Sequence, residues 1–172
     1  FGRAMYSYAD RYMLSASIRR DGSSKFADGH RWGTFPSVSA GWNVMNEDFF
    51  EQAKEVMNEL KVRASYGVLG NLNGIGNYAT QSTVTSGLNN IQGSSLWEGA
   101  ITGEKWTSLS TVTWEKTKTF NIGLDMALWN SKLTIGADYF IQKTEDMLLG
   151  MPQPGSFGLS GSPTLNAGTV EN

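Results

Sequence analysis

Residues Thr117 to Ile141 alternate apolar and polar side chains along two long stretches that a tight turn joins. Because successive side chains of a strand point to opposite faces, this period of two predicts two β-strands and not a helix. The face opposite the apolar one is mostly small and neutral, whereas a soluble sheet would show many charges to water. Long strands with one apolar and one mildly polar face are typical of a transmembrane β-barrel. The apolar positions are Phe120, Ile122, Leu124, Met126 and Leu128 before the turn, and Leu133, Ile135, Ala137, Tyr139 and Ile141 after it.

The overall composition excludes several classes of protein. A net charge of −2 supplies no basic field for nucleic acid. Only 17% of the 172 residues are charged, which is below the ~25% typical of soluble domains. The lack of cysteine excludes a disulfide scaffold and thiol chemistry. No apolar run approaches the ~18 residues of a transmembrane helix, but barrel strands place apolar residues only at every second position, so a membrane location stays open.

About six strands and one short amphipathic helix are predicted along the chain. The helix covers Asn46 to Glu59, with Asn46 or Asp48 as its cap. Two further short strands are possible within the Gly-, Asn- and Ser-rich segment from Gly70 to Ser110, and the end of the chain reads as a loop. The strands are Gly2–Tyr8, Tyr12–Arg19, Phe35–Met45, Leu60–Val68 and the two strands of the hairpin above; the short ones are Thr80–Thr85 and Glu104–Leu109, and the final loop is Leu165–Asn172.

Connections between the predicted strands alternate in length. The connections at 9–11, 46–59 and 129–131 are tight, medium and tight, and those that begin at Asp21, Gly70 and Met147 are long, very long and long. Barrels of the bacterial outer membrane have short periplasmic turns and long extracellular loops, so the two sets are expected on opposite sides of the membrane. Five aromatic residues near predicted strand ends fit either an interfacial girdle or the general preference of aromatics for strands. They are Tyr12, Trp42, Trp114, Trp129 and Tyr139.

Several blocks of the sequence together resemble one family, the SusC/RagA family of TonB-dependent outer-membrane transporters. The blocks occur in the order of the family and extend over most of the chain, and the stretch from Leu72 to Leu109 matches least. They are Arg11-Tyr12 with Ser17–Phe26, Phe35–Trp42, Leu60–Gly67, Gly70-Asn71, Trp114–Thr117, Asn121–Asp125, Asp138–Phe140, Lys143–Leu149 and Asn166–Asn172.

This resemblance implies a barrel of about 22 strands plugged by an N-terminal domain, in the outer membrane of a Gram-negative, Bacteroidetes-like cell. It implies contact with outer-membrane lipid and import of oligosaccharides, or in some members peptides. It also implies a SusD-like surface lipoprotein as a lid, with energy from the TonB complex through an N-terminal region. Because Phe1 opens no signal peptide, residues 1–172 are expected to be an internal part of such a barrel, without the plug domain, the TonB box or the remaining strands.

No catalytic constellation, metal site or cofactor site emerges from the residues. His30 is the only histidine and, without cysteine, gives no zinc site. The adjacent carboxylates of Glu47 and Asp48 suit the cap of a helix, and those of Glu145 and Asp146 suit a solvated rim. We therefore expect a protein that is not an enzyme.

Two sets of residues are candidates for contact with a passing molecule. Lys61, Arg63, Asp125 and Asp138 lie on the polar faces of their predicted strands. There they would face the lumen, where they would either be solvated and paired with the plug or contact the substrate. Trp32, Trp97 and Trp106 lie in the expected outer loops and could stack on sugar rings, or could serve loop packing and lid contact.

A soluble, secreted β-sandwich that binds carbohydrate through loop aromatics is the alternative hypothesis. Such a sandwich would also alternate, but its outer face would meet bulk water and carry many charges. The two hypotheses make opposite predictions for the row from Phe120 to Leu128: it touches lipid in a barrel and lies beneath a second layer in a sandwich.

Overall fold

The structure is a computed structural model that describes residues 1–77, 85–92, 95–101, 111–152, 154 and 164–172, with the backbone alone given for 52–55, 85–92 and 95–101. Among the described residues, no helix is long and apolar enough to span a bilayer. The dominant element is a single antiparallel sheet of seven strands. In their order across the sheet, these strands are β1 (Gly2–Tyr8), β2 (Tyr12–Gly22), β3 (Trp32–Asn43), β4 (Met57–Asn71), β7 (Glu115–Leu128), β8 (Leu133–Glu145) and β11 (Val170–Glu171).

Four further strands form two small sheets of two strands each. Strand β5 (Thr85–Gln92) pairs with β6 (Ser95–Ile101), and β9 (Leu148–Gly150) pairs with β10 (Thr164–Asn166). The all-β class and the antiparallel, up-and-down order of the six predicted strands are confirmed. The short strand expected at Glu104–Leu109 lies outside the described residues.

Several boundaries differ from those that the side-chain pattern indicates. The β2–β3 pairing continues to Gly22 and Trp32, because ladder hydrogen bonds do not require alternating side chains. The expected helix is instead two 3-10 segments, Val44–Asn46 and Asp48–Glu55, and β4 starts at once after them. The end of the chain is not wholly a loop, since β10 and β11 lie within it.

The register of the main sheet aligns its side chains into rows on two faces. Leu14, Ala40 and Ala64 are direct partners across β2, β3 and β4. Residues in register share a face, so each row continues from strand to strand. We call the face that carries Leu14, Ile18, Val38, Trp42, Val62, Tyr66, Phe120, Ile122, Leu124 and Tyr139 the apolar face. We call the face that carries Ser15, Ser39, Lys61, Arg63, Ser65, Asn121, Gly123, Asp125 and Asp138 the polar face.

The apolar face of the sheet is open. Phe120, Ile122 and Leu124 remain 41%, 42% and 37% exposed. No second layer from the described part of the chain covers this row, so its arrangement does not match the core of a sandwich, in which two sheets pack face to face. A patch of this kind on a protein surface indicates contact with another apolar phase or partner.

The two ends of the sheet differ. At one, which we call the short-turn end, β1 joins β2 through Ala9 and Asp10, both with φ of 52°. Positive φ at both central residues is the geometry of a type I′ turn, whose twist matches that of the strands. The β7–β8 turn at this end, 129–131, also has positive φ throughout. The opposite, long-loop end carries the connections that follow β2, β4 and β8.

A small hydrophobic core holds the long-loop end together. Phe26, 1% exposed, packs with its ring centroid 5.1 Å from that of Trp114, and Phe35 contacts Trp114 at 5.5 Å. Ile75 and Val112 complete this loop core. Trp114 also donates its indole N–H to the carbonyl of Arg31 at 3.3 Å. Of the two interpretations offered for the aromatic residues, the interfacial girdle does not hold for Trp114, because this residue is 5% exposed.

The long connection between β4 and β7 starts and ends at paired residues. Asn71 and Glu115 are direct register partners, and Asn71 Nδ2 donates to Glu115 Oε1 at 2.9 Å. The β5–β6 hairpin therefore belongs to an insertion that leaves the wall between β4 and β7 continuous.

Candidate functional site

Three charged side chains meet at the centre of the polar face. Arg63 of β4 donates from Nε to Asp125 Oδ2 at 2.9 Å and from Nη2 to Asp138 Oδ2 at 3.0 Å. The carboxylates come from β7 and β8, so the cluster ties three strands together. All three side chains are about one-third to two-fifths exposed. Three of the four polar-face residues predicted from the sequence are thus brought together.

Gly123 makes this cluster possible. It lies directly between Arg63 and Asp138 in the register of β4, β7 and β8. A Cβ atom at this position would stand 2.6 Å from Asp138 Oδ1 and 2.9 Å from Arg63 Cζ. The missing side chain therefore leaves the space through which the guanidinium reaches the second carboxylate.

Lys61, the fourth predicted residue, lies beside the cluster without joining it. Its register partner is Asp125, but among the described residues no carboxylate lies within ion-pair distance of its ammonium group. Lys61 and Arg63 border an open depression of about 600 Å³ on the sheet, together with Ser39, Ser65 and Asn121. Met5 and Met13 also line this depression, so it combines hydroxyl, amide and cationic groups with apolar side chains.

The three predicted tryptophans are not brought together by the described structure. Trp32 opens β3 on the edge of the apolar face, 64% exposed, with the guanidinium carbon of Arg20 5.1 Å from its ring centroid. Trp97 belongs to β6, where only the backbone is described. Trp106 lies outside the described residues. Stacking by these residues stays a prediction.

A second polar cluster lies at the short-turn end. Glu47, 8% exposed, accepts hydrogen bonds at Oε1 from Tyr12 Oη at 2.6 Å and from Trp42 Nε1 at 3.1 Å. Arg11 Nη1 donates to the other oxygen at 3.2 Å, and Arg11 also pairs with Asp48. The hydrogen bonds from Tyr12 and then Trp42 hold the pKa of Glu47 below its ordinary value. Glu47 is thus a hub for two aromatic side chains rather than the helix-capping residue expected from the sequence.

The aromatic partners of Glu47 belong to the apolar face. Tyr12 and Trp42 are direct register partners, and their rings stack at 6.5 Å with 11° between their planes. Each ring has one edge on the open apolar surface and its polar atom on the carboxylate. This is the amphipathic placement that aromatic residues adopt at a membrane–water boundary. Tyr139, by contrast, lies in the middle of β8.

Sequence reasoning missed Gly123 and the role of Glu47, because each depends on contacts between residues that are far apart in the chain. Within the described ranges, no group of three or more His, Cys, Asp or Glu side chains could hold a metal ion.

Comparison with known proteins identifies the family. The family model described as TonB dependent receptor-like, beta-barrel matches residues 1–172. The chain is 34% identical over 179 residues to the TonB-dependent receptor SusC of Bacteroides thetaiotaomicron and 36% identical over 175 residues to the TonB-dependent receptor P26 of Formosa agariphila. Each alignment covers all of this chain and 17% of the relative, so the chain spans about a sixth of the length of these curated relatives.

A solved structure agrees with these matches. The structure of the RagAB peptide transporter superposes with a TM-score of 0.80 at 30% identity, covering 98% of this chain and 18% of that one. The matched region therefore shares both sequence and strand arrangement with TonB-dependent receptors, as the SusC/RagA resemblance implies. The chain belongs to the TonB-dependent receptor β-barrel family.

Proposed function

We propose that this chain forms part of the wall of a TonB-dependent importer in the outer membrane of a Gram-negative, Bacteroidetes-like bacterium. Residues 1–172 would supply a run of strands to a larger barrel whose plug and remaining strands lie elsewhere in the protein. The observation that carries the proposal is the exposed apolar row Phe120–Leu124, opposite a face of small polar side chains and a few charged ones. Only a barrel or a helix satisfies every backbone group within lipid.

The orientation of the wall follows from its two ends. Short turns face the periplasm and long loops face outward in outer-membrane barrels. We therefore assign the turn at Ala9-Asp10 and the Glu47 cluster to the periplasmic side, and the loop core around Phe26 and Trp114 to the outside. The stacked Tyr12 and Trp42 then lie at the inner boundary of the membrane.

The work of this protein is passage rather than catalysis. Its matched relatives are named as receptors, and one solved neighbour as a peptide transporter. We propose that the whole protein takes up oligosaccharides or peptides together with a SusD-like surface lipoprotein, energised by the TonB complex through an N-terminal region. Arg63, Asp125 and Asp138 stiffen the lumen wall. Lys61 has no ion-pair partner in the described part of the chain, and is therefore the residue of this set most available to the plug or the substrate. Trp97 and Trp106 are the stacking candidates on the outer side.

Paired cysteine labels test the orientation of the sheet. Residues 1–172 contain no cysteine, so Ile122→Cys and its chain neighbour Asn121→Cys can each carry one spin label in a full-length receptor from which any other cysteines have been replaced by serine. In membranes, the label at 122 is expected to be reached by oxygen and not by a water-soluble nickel complex. The label at 121, on the polar face, should show the reverse preference. Equal access of the nickel complex to both sites would rule out the lipid-facing assignment.

Growth tests the class of substrate. A strain that lacks the full-length gene is compared with its parent on single oligosaccharides and on peptide mixtures as sole carbon source. Loss of growth on one class, restored by the wild-type gene, identifies the cargo. Unchanged growth and unchanged uptake of labelled substrates of both classes would contradict the import proposal.

A further inference from the structure

An open apolar groove of about 290 Å³ lies on the apolar face near the short-turn end. The small side chains Ala40 and Ala64 are direct neighbours and leave the surface low between β3 and β4. The larger side chains of Tyr6 and Leu14 continue the same row on one side, and Trp42 stands in the next row. All five residues line the groove.

The lining of the groove sets the chemistry of its occupant. No charged side chain contributes to it. At the edge of the groove nearest the short-turn end, Tyr12 and Trp42 both donate hydrogen bonds to Glu47. This edge is therefore the polar boundary of the groove. A ligand there must therefore be slender and apolar along its length, and must meet polar surroundings at one end only.

A second copy of the chain or another folded protein fits this site poorly. A stable protein interface takes roughly 20–30 residues from each partner, whereas nine residues of β1 to β4 line this groove. A single unbranched hydrocarbon chain matches its small volume and its uncharged lining. Inside a bilayer the gain comes from van der Waals contact along a matched surface, because no water is displaced.

Below the aromatic pair lies an ion pair suited to a zwitterionic headgroup. The Arg11 guanidinium binds Asp48 at 2.7 Å, and the Asp48 side chain is 89% exposed. A phosphate can approach the guanidinium while an ammonium group approaches the carboxylate. The order of features along β2 and β3 is thus apolar groove, aromatic boundary, charged pair, which is the order of parts in a phospholipid.

We propose that this groove is a specific site for one phospholipid of the inner leaflet, with an acyl chain over Ala40 and Ala64 and a zwitterionic headgroup near Arg11 and Asp48. The inference rests on the proposed barrel function, since it requires the apolar face to meet lipid.

The test uses the full-length receptor purified in detergent, with palmitoyl-oleoyl phosphatidylethanolamine as the probe and native mass spectrometry as the readout. Ala40→Phe and Ala64→Phe each fill the groove. Each should raise the dissociation constant of the lipid, measured by titration, at least about tenfold. Ala137→Phe is the matched control, because Ala137 lies on the same face in β8, away from the groove. It should leave lipid binding unchanged.

The outcomes are separable. Each variant is first checked for the heat-resistant migration of a folded barrel in gels. If a filled groove prevents folding, Tyr6→Ala on the exposed edge of the groove replaces it and should weaken binding severalfold. Wild-type lipid binding in folded Ala40→Phe, Ala64→Phe or Tyr6→Ala, or a dimer that occupies the site, would overturn the proposal. The barrel assignment itself is tested separately by the spin label at residue 122. If the water-soluble nickel complex reaches that label, the barrel assignment fails.

Discussion

A Cβ atom on Gly123 would lie 2.6 Å from Oδ1 of Asp138, its direct cross-strand partner. Real Cβ atoms do not approach oxygen so closely, so Gly123→Ala must displace Asp138 or Arg63. Both groups are the ends of flexible side chains that are 41% and 43% exposed, so we expect the substitution to lower the free energy of unfolding by at most about 1 kcal/mol. The temperature at which the full-length barrel loses its heat-resistant gel mobility measures the effect.

Gly136→Ala is the matched control for that substitution. Its Cβ atom would lie 3.7 Å from Asp125 Oδ1, an ordinary contact, and alanine loses less backbone entropy than glycine. The control should therefore be neutral or gain up to about 1 kcal/mol. Equal losses in the two variants would show that the contact around Gly123 is unimportant.

Glu47→Gln is expected to destabilise the short-turn end. The amide has one acceptor oxygen where the carboxylate has two, so it cannot accept from Tyr12, Trp42 and Arg11 together. Asp48→Asn, at a largely exposed side chain, should have a smaller effect. Thermal unfolding of both variants at neutral pH is the measurement, and a larger loss in Asp48→Asn would contradict the role of Glu47 as the hub.

The same carboxylate makes stability depend on pH. The pKa of Glu47 is lowered in the folded state, chiefly by the hydrogen bonds from Tyr12 and Trp42. Its contribution is therefore complete above the pKa of the unfolded side chain, about 4.3, and is lost as the pH falls through the lower folded value. Between pH 7 and about pH 3, wild-type stability should fall more than that of Glu47→Gln. Parallel curves for the two proteins would refute this.

The loop core is tested by two identical substitutions. Phe26→Ala removes a ring that is 1% exposed and should cost about 3–5 kcal/mol in local stability. Phe49→Ala removes one that is 68% exposed and should cost less than about 0.5 kcal/mol. Limited proteolysis at residues 23–31 is the readout, with faster cleavage expected only in the first variant.

Asn58 secures the β7–β8 turn from a neighbouring strand. It lies at the register shift of β4, and its Oδ1 accepts from the backbone N–H of Asn130 at 2.6 Å and of Ser131 at 3.4 Å. Asn58→Ala should cost about 1 kcal/mol and accelerate hydrogen exchange in residues 129–132. Asn58→Asp keeps an acceptor and should exchange as the wild type does. Fast exchange in both variants would mean that the acceptor is not what holds the turn.

Sequence reasoning succeeded where one strand carries its own signal. Alternation at Phe120–Leu128 shows which residues share a face without knowledge of any partner strand, and the order of short and long connections needs no contacts at all. It failed where the decisive contact joins distant residues. Tyr12 and Glu47 are 35 residues apart, and no pattern in the sequence around either residue predicts their hydrogen bond.

The polar face was harder to predict for the same reason. The alternation of side chains along each strand places four charged residues on one face: Lys61, Arg63, Asp125 and Asp138. It does not show which of them form ion pairs. Which carboxylate meets Arg63 depends on the register of β4 against β7 and on the gap at Gly123. The 3-10 geometry of residues 48–55 could not be predicted either, because the spacing of apolar residues over two turns does not distinguish a 3-10 helix from an α-helix.

The hydrogen-bonded pair of Asn71 and Glu115 separates the paired strands of the wall from the loop that is inserted between them. Because β4 and β7 pair continuously up to these two positions, the residues inserted between them can be exchanged without breaking the wall, provided that Ile75, Val112 and Trp114 of the loop core are kept. A specificity graft from a related receptor, placed between Ile75 and Val112, would bring new recognition to an unaltered frame.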